Sequence, residues 1–382
     1  MKRQSNSIKI KTKNKLYPAS NIINLKNNNK NNSSKNIHTL LITDDEYPII
    51  KKENKNIKLL KDLINDSYSF CYLDNTFIVF KSINNILCII YTDKNISIIS
   101  YDLIDNKKIN TIKKAHNKCI TNFRHYLDKN NKRDLIISIS CHDNNIKLWN
   151  ANNLDCLHNF ENIYTAGQLF SACFLYDNIK NEILIIAGNS NFNNLDYIKI
   201  LDLNGNTLEK INNSNDNIFF IDNYYDENVC KNFIITGNFG YVKSYDYFNK
   251  KLYHKYSVND NRSHNSIIIN NNNKGVNNNI QLIESSYDGD IRIWDFHSGE
   301  LIKTINVLDD IYNICLWSDE YIFVGCKNGM LKLISLKNGK TEQNINGHTK
   351  SVLTIKKIEH PLYRECLITQ GNDQRIILWI NE

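Results

Sequence analysis

Three times along this chain of 382 residues an Asp stands six places before a Trp, with a His about thirty places before the same Trp. The sets are His116, Asp143 and Trp149; His264, Asp288 and Trp294; and His348, Asp373 and Trp379. An imidazole and a carboxylate beside a Ser or Thr are the parts of a hydrolase triad. An active site is seldom built three times in one chain, and no G-x-S-x-G nucleophile elbow is present. Structural needs account for the same residue types. A buried indole keeps an N–H that must find an acceptor, and a buried carboxylate is costly unless hydrogen-bonded.

Other chemistry finds less support. Neither G-x-x-x-x-G-K-[ST] nor G-x-G-x-x-G occurs, so no phosphate cradle is expected. His142 adjoins Asp143, and His360 and Cys366 lack ligands at finger-like spacing, so no metal site is expected. Acidic residues are dispersed, with no pair that singles itself out as acid and base. The expectation is a chain without catalytic residues, cofactor, metal or small-molecule substrate. The ten cysteines form no C-x-x-C pair, the N-terminus has no secretory apolar region, and no apolar run approaches membrane-spanning length. An intracellular protein with reduced thiols, cytoplasmic or nuclear, is the reading that follows.

The net charge of +7 is concentrated at the front, where residues 1–43 hold nine Lys and Arg and no acid. Residues 1–55 are rich in Asn, Lys and Ser and poorly periodic, and are expected to be disordered. Beyond them, short runs of β-branched and aromatic residues alternate with Asn, Asp, Gly and Ser turns, and no helical stripe is sustained. The clearest units read I-E-S-S-Y-D-G-D-I-R-I-W-D from Ile283, I-S-I-S-C-H-D-N-N-I-K-L-W-N from Ile137, and L-I-T-Q-G-N-D-Q-R-I-I-L-W-I from Leu367. Each is a strand, a turn bearing Asp, and a strand ending at or beside Trp. Weaker versions end at Asp102, Asp202, Asp246 and Ser335.

These units resemble the WD-repeat family of transducin-beta-like β-propellers, whose repeat runs from a Gly-His pair to a Trp-Asp pair; here Gly347–His348 and Trp294–Asp295 keep both letters. The resemblance covers residues 56–382 and implies an all-β, seven-bladed propeller of four-stranded antiparallel sheets. Blades are placed at 75–116, 117–162, 163–213, 214–258, 259–308, 309–348 and 349–382. The last window ends after its third strand, so 56–74 is expected to lend the fourth, through either 57–63 or 67–73. The resemblance also implies a hydrogen-bonded chain from turn Asp through His and a Ser or Thr to the Trp N–H. Blade seven supplies all four members in His348, Thr369, Asp373 and Trp379. In blades two and five Ile139 and Glu284 stand at the same offset as Thr369, which leaves the hydroxyl unassigned.

Function follows from the resemblance as an expectation: a non-catalytic scaffold or adaptor that binds other proteins, within a multiprotein complex, through loops of one face. That face is expected to present His142, Tyr287, Lys327 and Asn372 from the second-to-third-strand turns. Asn117, Lys118, Asn265, Tyr312, Thr349 and Lys350 would join them from the entrances to the inner strands. Two alternatives stay open. The basic tail could carry the propeller to nucleic acid or an anionic membrane, although Tyr17 is its one early aromatic for stacking. A ubiquitin-ligase substrate receptor is the other, weakened because Phe296 and His297 follow Asp295 where such receptors often carry Arg. Phe123-Arg124-His125-Tyr126 departs from the F-R-R-G motif of phosphoinositide-binding propellers and is discounted.

Overall fold

The computed structural model describes residues 16–18, 38–41, 49–52 and 77–381, apart from 94–95, 165–167, 191–196, 213–216, 259–261, 272–279 and 363. Their regular elements are strands, and no helix occurs among the described residues. Seven four-stranded antiparallel sheets form, six of them with neighbours in sequence order. Blade one holds Phe77–Lys81, Leu87–Asp93, Ser97–Asp102 and Lys107–Ile112. Blade two holds Asn122–Asp128, Arg133–Ser140, Asn145–Asn150 and Cys156–Phe160. Blade three holds Gln168–Asp177, Glu182–Ser190, Tyr197–Leu201 and Thr207–Asn212. Blade four holds Phe220–Asp226, Lys231–Gly237, Tyr241–Asp246 and Lys251–Ser257. Blade five holds His264–Asn270, Gln281–Ser286, Asp290–Asp295 and Leu301–Asn306, and blade six Ile311–Ser318, Tyr321–Cys326, Met330–Ser335 and Thr341–Asn346. Blade seven holds Val352–His360, Arg364–Gly371 and Ile376–Asn381, with Leu16–Pro18 paired to the last of these.

The first strand of each blade neighbours the first strand of the next, and that of blade seven neighbours that of blade one. The ring is therefore closed, a seven-bladed β-propeller. Its core is divided among seven apolar clusters, each lying between two adjacent blades. Strand alternation explains the division. Successive side chains point to opposite faces, so Ile137 and Ile139 pack toward blade three while Ile136 packs toward blade one. Second strands are covered on both faces and read as nearly continuous apolar runs, such as Leu135-Ile-Ile.

Outer strands behave differently. Thr207–Asn212, Leu301–Asn306 and Thr341–Asn346 each bury one residue, respectively Ile211, Ile305 and Ile345. In blades one to six the pairing of third and fourth strands shifts register at the Trp position: Tyr101, Trp149, Leu201, Tyr245, Trp294 and Ile334. Such bulges raise local twist, which an outer strand needs as the blade fans away from the axis.

Two expectations about the front of the chain are corrected. Within the tail read as disordered, Leu16–Pro18, His38–Leu41 and Ile49–Lys52 are strands, the last two forming a hairpin. The fourth strand of blade seven is Leu16–Pro18, in register Leu16 to Asn381 and Pro18 to Trp379, rather than a segment of 57–73. Pro18 has no N–H for a ladder, which suits an edge strand of three residues. Residues 53–76, including both segments expected to close the ring, lie outside the described residues.

Candidate interaction face

Blade seven brings all four of its sequence-marked residues together. The Trp379 indole N–H donates to Thr369 Oγ1 at 2.9 Å, and the same hydroxyl meets His348 Nε2 at 2.8 Å. His348 Nδ1 lies 2.9 Å from Asp373 Oδ1, and the Thr349 N–H donates to Asp373 Oδ2 at 2.8 Å. All partners are satisfied when Thr369 donates to Nε2 and Nδ1–H donates to the carboxylate. Burial pushes the Asp373 carboxyl up, but hydrogen bonding from His348, the Thr349 N–H and the charge of Arg375 together hold it below the usual carboxylate range. Gly347 lies so near Trp379 that a Cβ there would overlap the indole ring, which gives the Gly-His pair its physical reason.

Blade two keeps the chain but relaxes one link. Trp149 Nε1 donates to Ser138 Oγ at 2.8 Å, and Ser138 Oγ meets His116 Nε2 at 2.7 Å. The hydroxyl is thus Ser138, one place before the Ile139 marked by counting back from Asp143. Thr369 and Ser138 both stand two residues along the second strand from the Trp partner, Leu367 or Ile136. From the hydroxyl residue to the turn Asp is four places in blade seven and five in blade two, so a fixed offset misses Ser138. Asp143 stands 3.8 Å from His116 Nδ1 and instead accepts the N–H groups of Asn117 and Lys118 at 2.8 and 3.0 Å. Burial foremost, aided by Lys147 and opposed by Asp143, lowers the His116 pKa from 6.5 to about 4.

Blade five departs further and corrects the expected His264–Asp288 link. His264 Nδ1 meets Glu284 Oε2 at 2.6 Å, because Glu284 occupies the place of the hydroxyl residue and reaches farther than Ser or Thr. Arg292 lies between the two acids, 3.6 Å from Glu284 Oε1 and hydrogen-bonded to Asp288. Asp288 also accepts from Ser286. The Trp294 indole N–H, deprived of a hydroxyl, has no hydrogen-bond partner among the described residues. Thr369, Ser138 and Glu284 are each fully buried, so none is presented to a substrate from solution.

The sequence reading gave no role to the residue after the Trp position. Asp102, Asn150, Asp202, Asp246 and Asp295 accept N–H groups of the next turn, as in Asp295 with His297 and Ser298 at 3.1 and 2.8 Å. Ser335 accepts the Asn338 N–H at 3.4 Å in blade six. These are Asx and Ser turns that redirect the chain into the outer strand. The recurrence of Asp, Asn and Ser at that place was the available signal.

The second-to-third-strand turns and the loops entering the inner strands lie on one face. Asp143 and Asp373 bond those entering loops directly, Asn372 N–H donates to Ser351 O at 2.8 Å, and Lys327 Nζ pairs with Asp310 at 2.8 Å. At Gly289, with φ at +85°, a Cβ would stand 2.7 Å from Asp309 O, so this turn sits flush on the loop. His142, Lys327, Asn372, Asn117, Lys118, Thr349 and Lys350 are exposed on this face. Tyr287 is half-buried, its ring edge-on to Tyr312 at 5.2 Å. Tyr312 is corrected from contact residue to support, being buried beside Tyr287. The side chain of Asn265 lies outside the described residues.

Elsewhere, a pocket of about 330 Å³ opens among Arg124, Tyr176, Asp222 and neighbouring residues of blades two to four. Arg124 belongs to the inner strand of blade two and donates to Asn122 Oδ1 at 2.6 Å. No group of three His, Cys, Asp or Glu side chains that could hold a metal ion occurs among the described residues. No described helix is long and apolar enough to cross a membrane. Burial pushes the thiols of Cys88, Cys141, Cys326 and Cys366 up to about 12.

No family model matches the chain. A stretch of 75 residues is 29% identical to Autophagy-related protein 16 of Arabidopsis thaliana. The match covers 19% of this chain and 15% of that protein.

Proposed function

We propose that this chain is a non-catalytic scaffold of the WD-repeat type, binding other proteins through the face of second-to-third-strand turns. The observation that carries the reading is where the reactive-looking groups go. The His, Asp and hydroxyl sets of blades two and seven spend their hydrogen bonds on one another, on Trp and on loop N–H groups. What reaches solvent on that face is a set of loop side chains held by these internal braces, and loops on a rigid frame are where binding residues concentrate. The partial likeness to an autophagy-related protein suggests one process in which partners should be sought. The test is affinity purification of the tagged chain with mass spectrometry, beside a variant carrying His142→Ala, Tyr287→Ala and Lys350→Ala. That variant is expected to fold normally and lose its main partner. Retention of every partner by the folded variant would place binding elsewhere.

A further inference from the structure

Arg124 and Asp222 line one cavity, and neither forms an ion pair with a described residue. Arg124 stands on the inner strand of blade two and Asp222 on that of blade four, with Cys173 between them on that of blade three. The cavity holds about 330 Å³ and is walled by these three strands. Its lining extends to Asn178, in the turn between the first and second strands of blade three. It therefore lies toward the face opposite the one that carries His142 and Tyr287.

The acceptors that Arg124 meets are neutral. Nη1 donates to Asn122 Oδ1 at 2.6 Å and to Phe123 O at 3.3 Å, and Nη2 donates to Ile221 O at 3.3 Å. One acceptor for the two hydrogens of Nη2 leaves a donor unspent. Asp222 accepts the Asn223 N–H through Oδ1 at 2.9 Å, and Oδ2 has no partner among the described residues. Both side chains are half-buried, where water screens a charge less than on the open surface. Their nearness to one wall shows in the Cys173 thiol. Burial foremost pushes that thiol up, Asp222 adds to the rise, and Arg124 opposes it. His125, also in the lining, is taken by Asp134 at 2.6 Å. Much of the remaining wall is aromatic. The Tyr126 ring centre lies 5.7 Å from that of Phe174 and 6.4 Å from that of Tyr176, and all three line the cavity.

We infer that this cavity binds a free α-amino acid with an apolar or aromatic side chain. The ligand carboxylate takes the spare Nη2 donor of Arg124, the ammonium takes Asp222 Oδ2, and the side chain lies against Tyr126, Phe174 and Tyr176. Charge selects the class. Asp222 repels a phosphate or other anion, and Arg124 repels a lone cation. An uncharged molecule leaves both charges desolvated and unpaired. A zwitterion answers both at once. Size agrees, because the volume stands at the small end of ligand pockets. The inference goes beyond the scaffold reading and does not depend on it. The ligand is held and not converted, so no catalytic group is required.

The experiment is isothermal titration of the full chain with L-leucine and L-phenylalanine. N-acetyl-L-leucine, which lacks the cation, and L-leucinamide, which lacks the anion, probe the two charges separately. At least one free amino acid should bind saturably with Kd at or below about 1 mM, and the blocked forms about tenfold more weakly or worse. Asp222→Asn keeps the side-chain shape. It should weaken L-leucine about tenfold and narrow the gap to N-acetyl-L-leucine. Arg124→Gln should weaken L-leucine likewise and narrow the gap to L-leucinamide. Melting temperatures certify each fold. Arg124 also bonds Ile221 of blade four, so if Arg124→Gln does not fold, Asp222→Asn decides alone. The inference is overturned if neither free amino acid binds, or if the blocked forms bind as well as the free ones. It is equally overturned if folded Asp222→Asn binds L-leucine unchanged. None of these outcomes bears on the opposite face, whose own test is the loss of a co-purifying partner.

Discussion

Thr369, Ser138 and Glu284 fill one place in three blades, and the Trp beside each reports the difference. Trp379 and Trp149 donate to a hydroxyl, whereas Trp294 has no acceptor among the described residues. Trp379→Phe removes the donor to the buried Thr369 hydroxyl, while Trp294→Phe removes a donor that makes no bond to a described residue. The first should therefore cost about 1–2 kcal/mol more than the second in urea unfolding. Gly347→Ala should cost about 1–3 kcal/mol through overlap with Trp379, read by the same midpoint. His116 predicts a pH dependence. Its pKa falls from 6.5 in ordinary surroundings to about 4 when folded, so below pH 6.5 the unfolded chain takes up a proton that the folded chain refuses. Its contribution is whole above pH 6.5 and declines as pH falls toward 4, by about 3 kcal/mol over the full window. Unfolding midpoints at pH 7 and pH 5 should differ less in His116→Gln than in the parent chain.

Strand by strand, legibility followed burial. Second strands, covered on both faces, read as apolar runs, and in blades two, five and seven the third strand ends at or beside a Trp that marks the repeat. Outer strands bury a single residue such as Ile211 or Ile305, so their sequence carries almost no period. The closing strand is shorter still, and three residues inside an Asn/Lys-rich stretch offer no pattern to find. Ser138 was missed because a turn one residue longer shifted the count. Glu284 was seen but not assigned, since residue type alone could not say that a carboxylate would replace a hydroxyl and draw in Arg292. The Asx turns make a prediction at this scale. Asp295→Ala removes the acceptor for His297 and Ser298 and should destabilise by about 1 kcal/mol, with faster amide exchange at those two positions. Deleting residues 1–20 should raise exchange in Ile376–Asn381, where deleting 1–14 leaves Leu16–Pro18 in place and should not.

At the scale of the molecule, seven apolar layers and seven inner-strand contacts make one circuit, and each blade is gripped from both sides. A circuit of that kind has no hinge around which two halves could swing. Ligands on separated blades therefore have little shared motion through which to help or hinder one another. Two proteins seated on separated blades, one at His142 of blade two and the other at Tyr287 of blade five, should bind as independent events, with coupling below about 0.5 kcal/mol. Titrating one in the presence of saturating amounts of the other would measure that term directly. On the scaffold reading, partners held on one closed ring would meet one another at high effective concentration, a gain that comes from tethering and needs no communication between their sites.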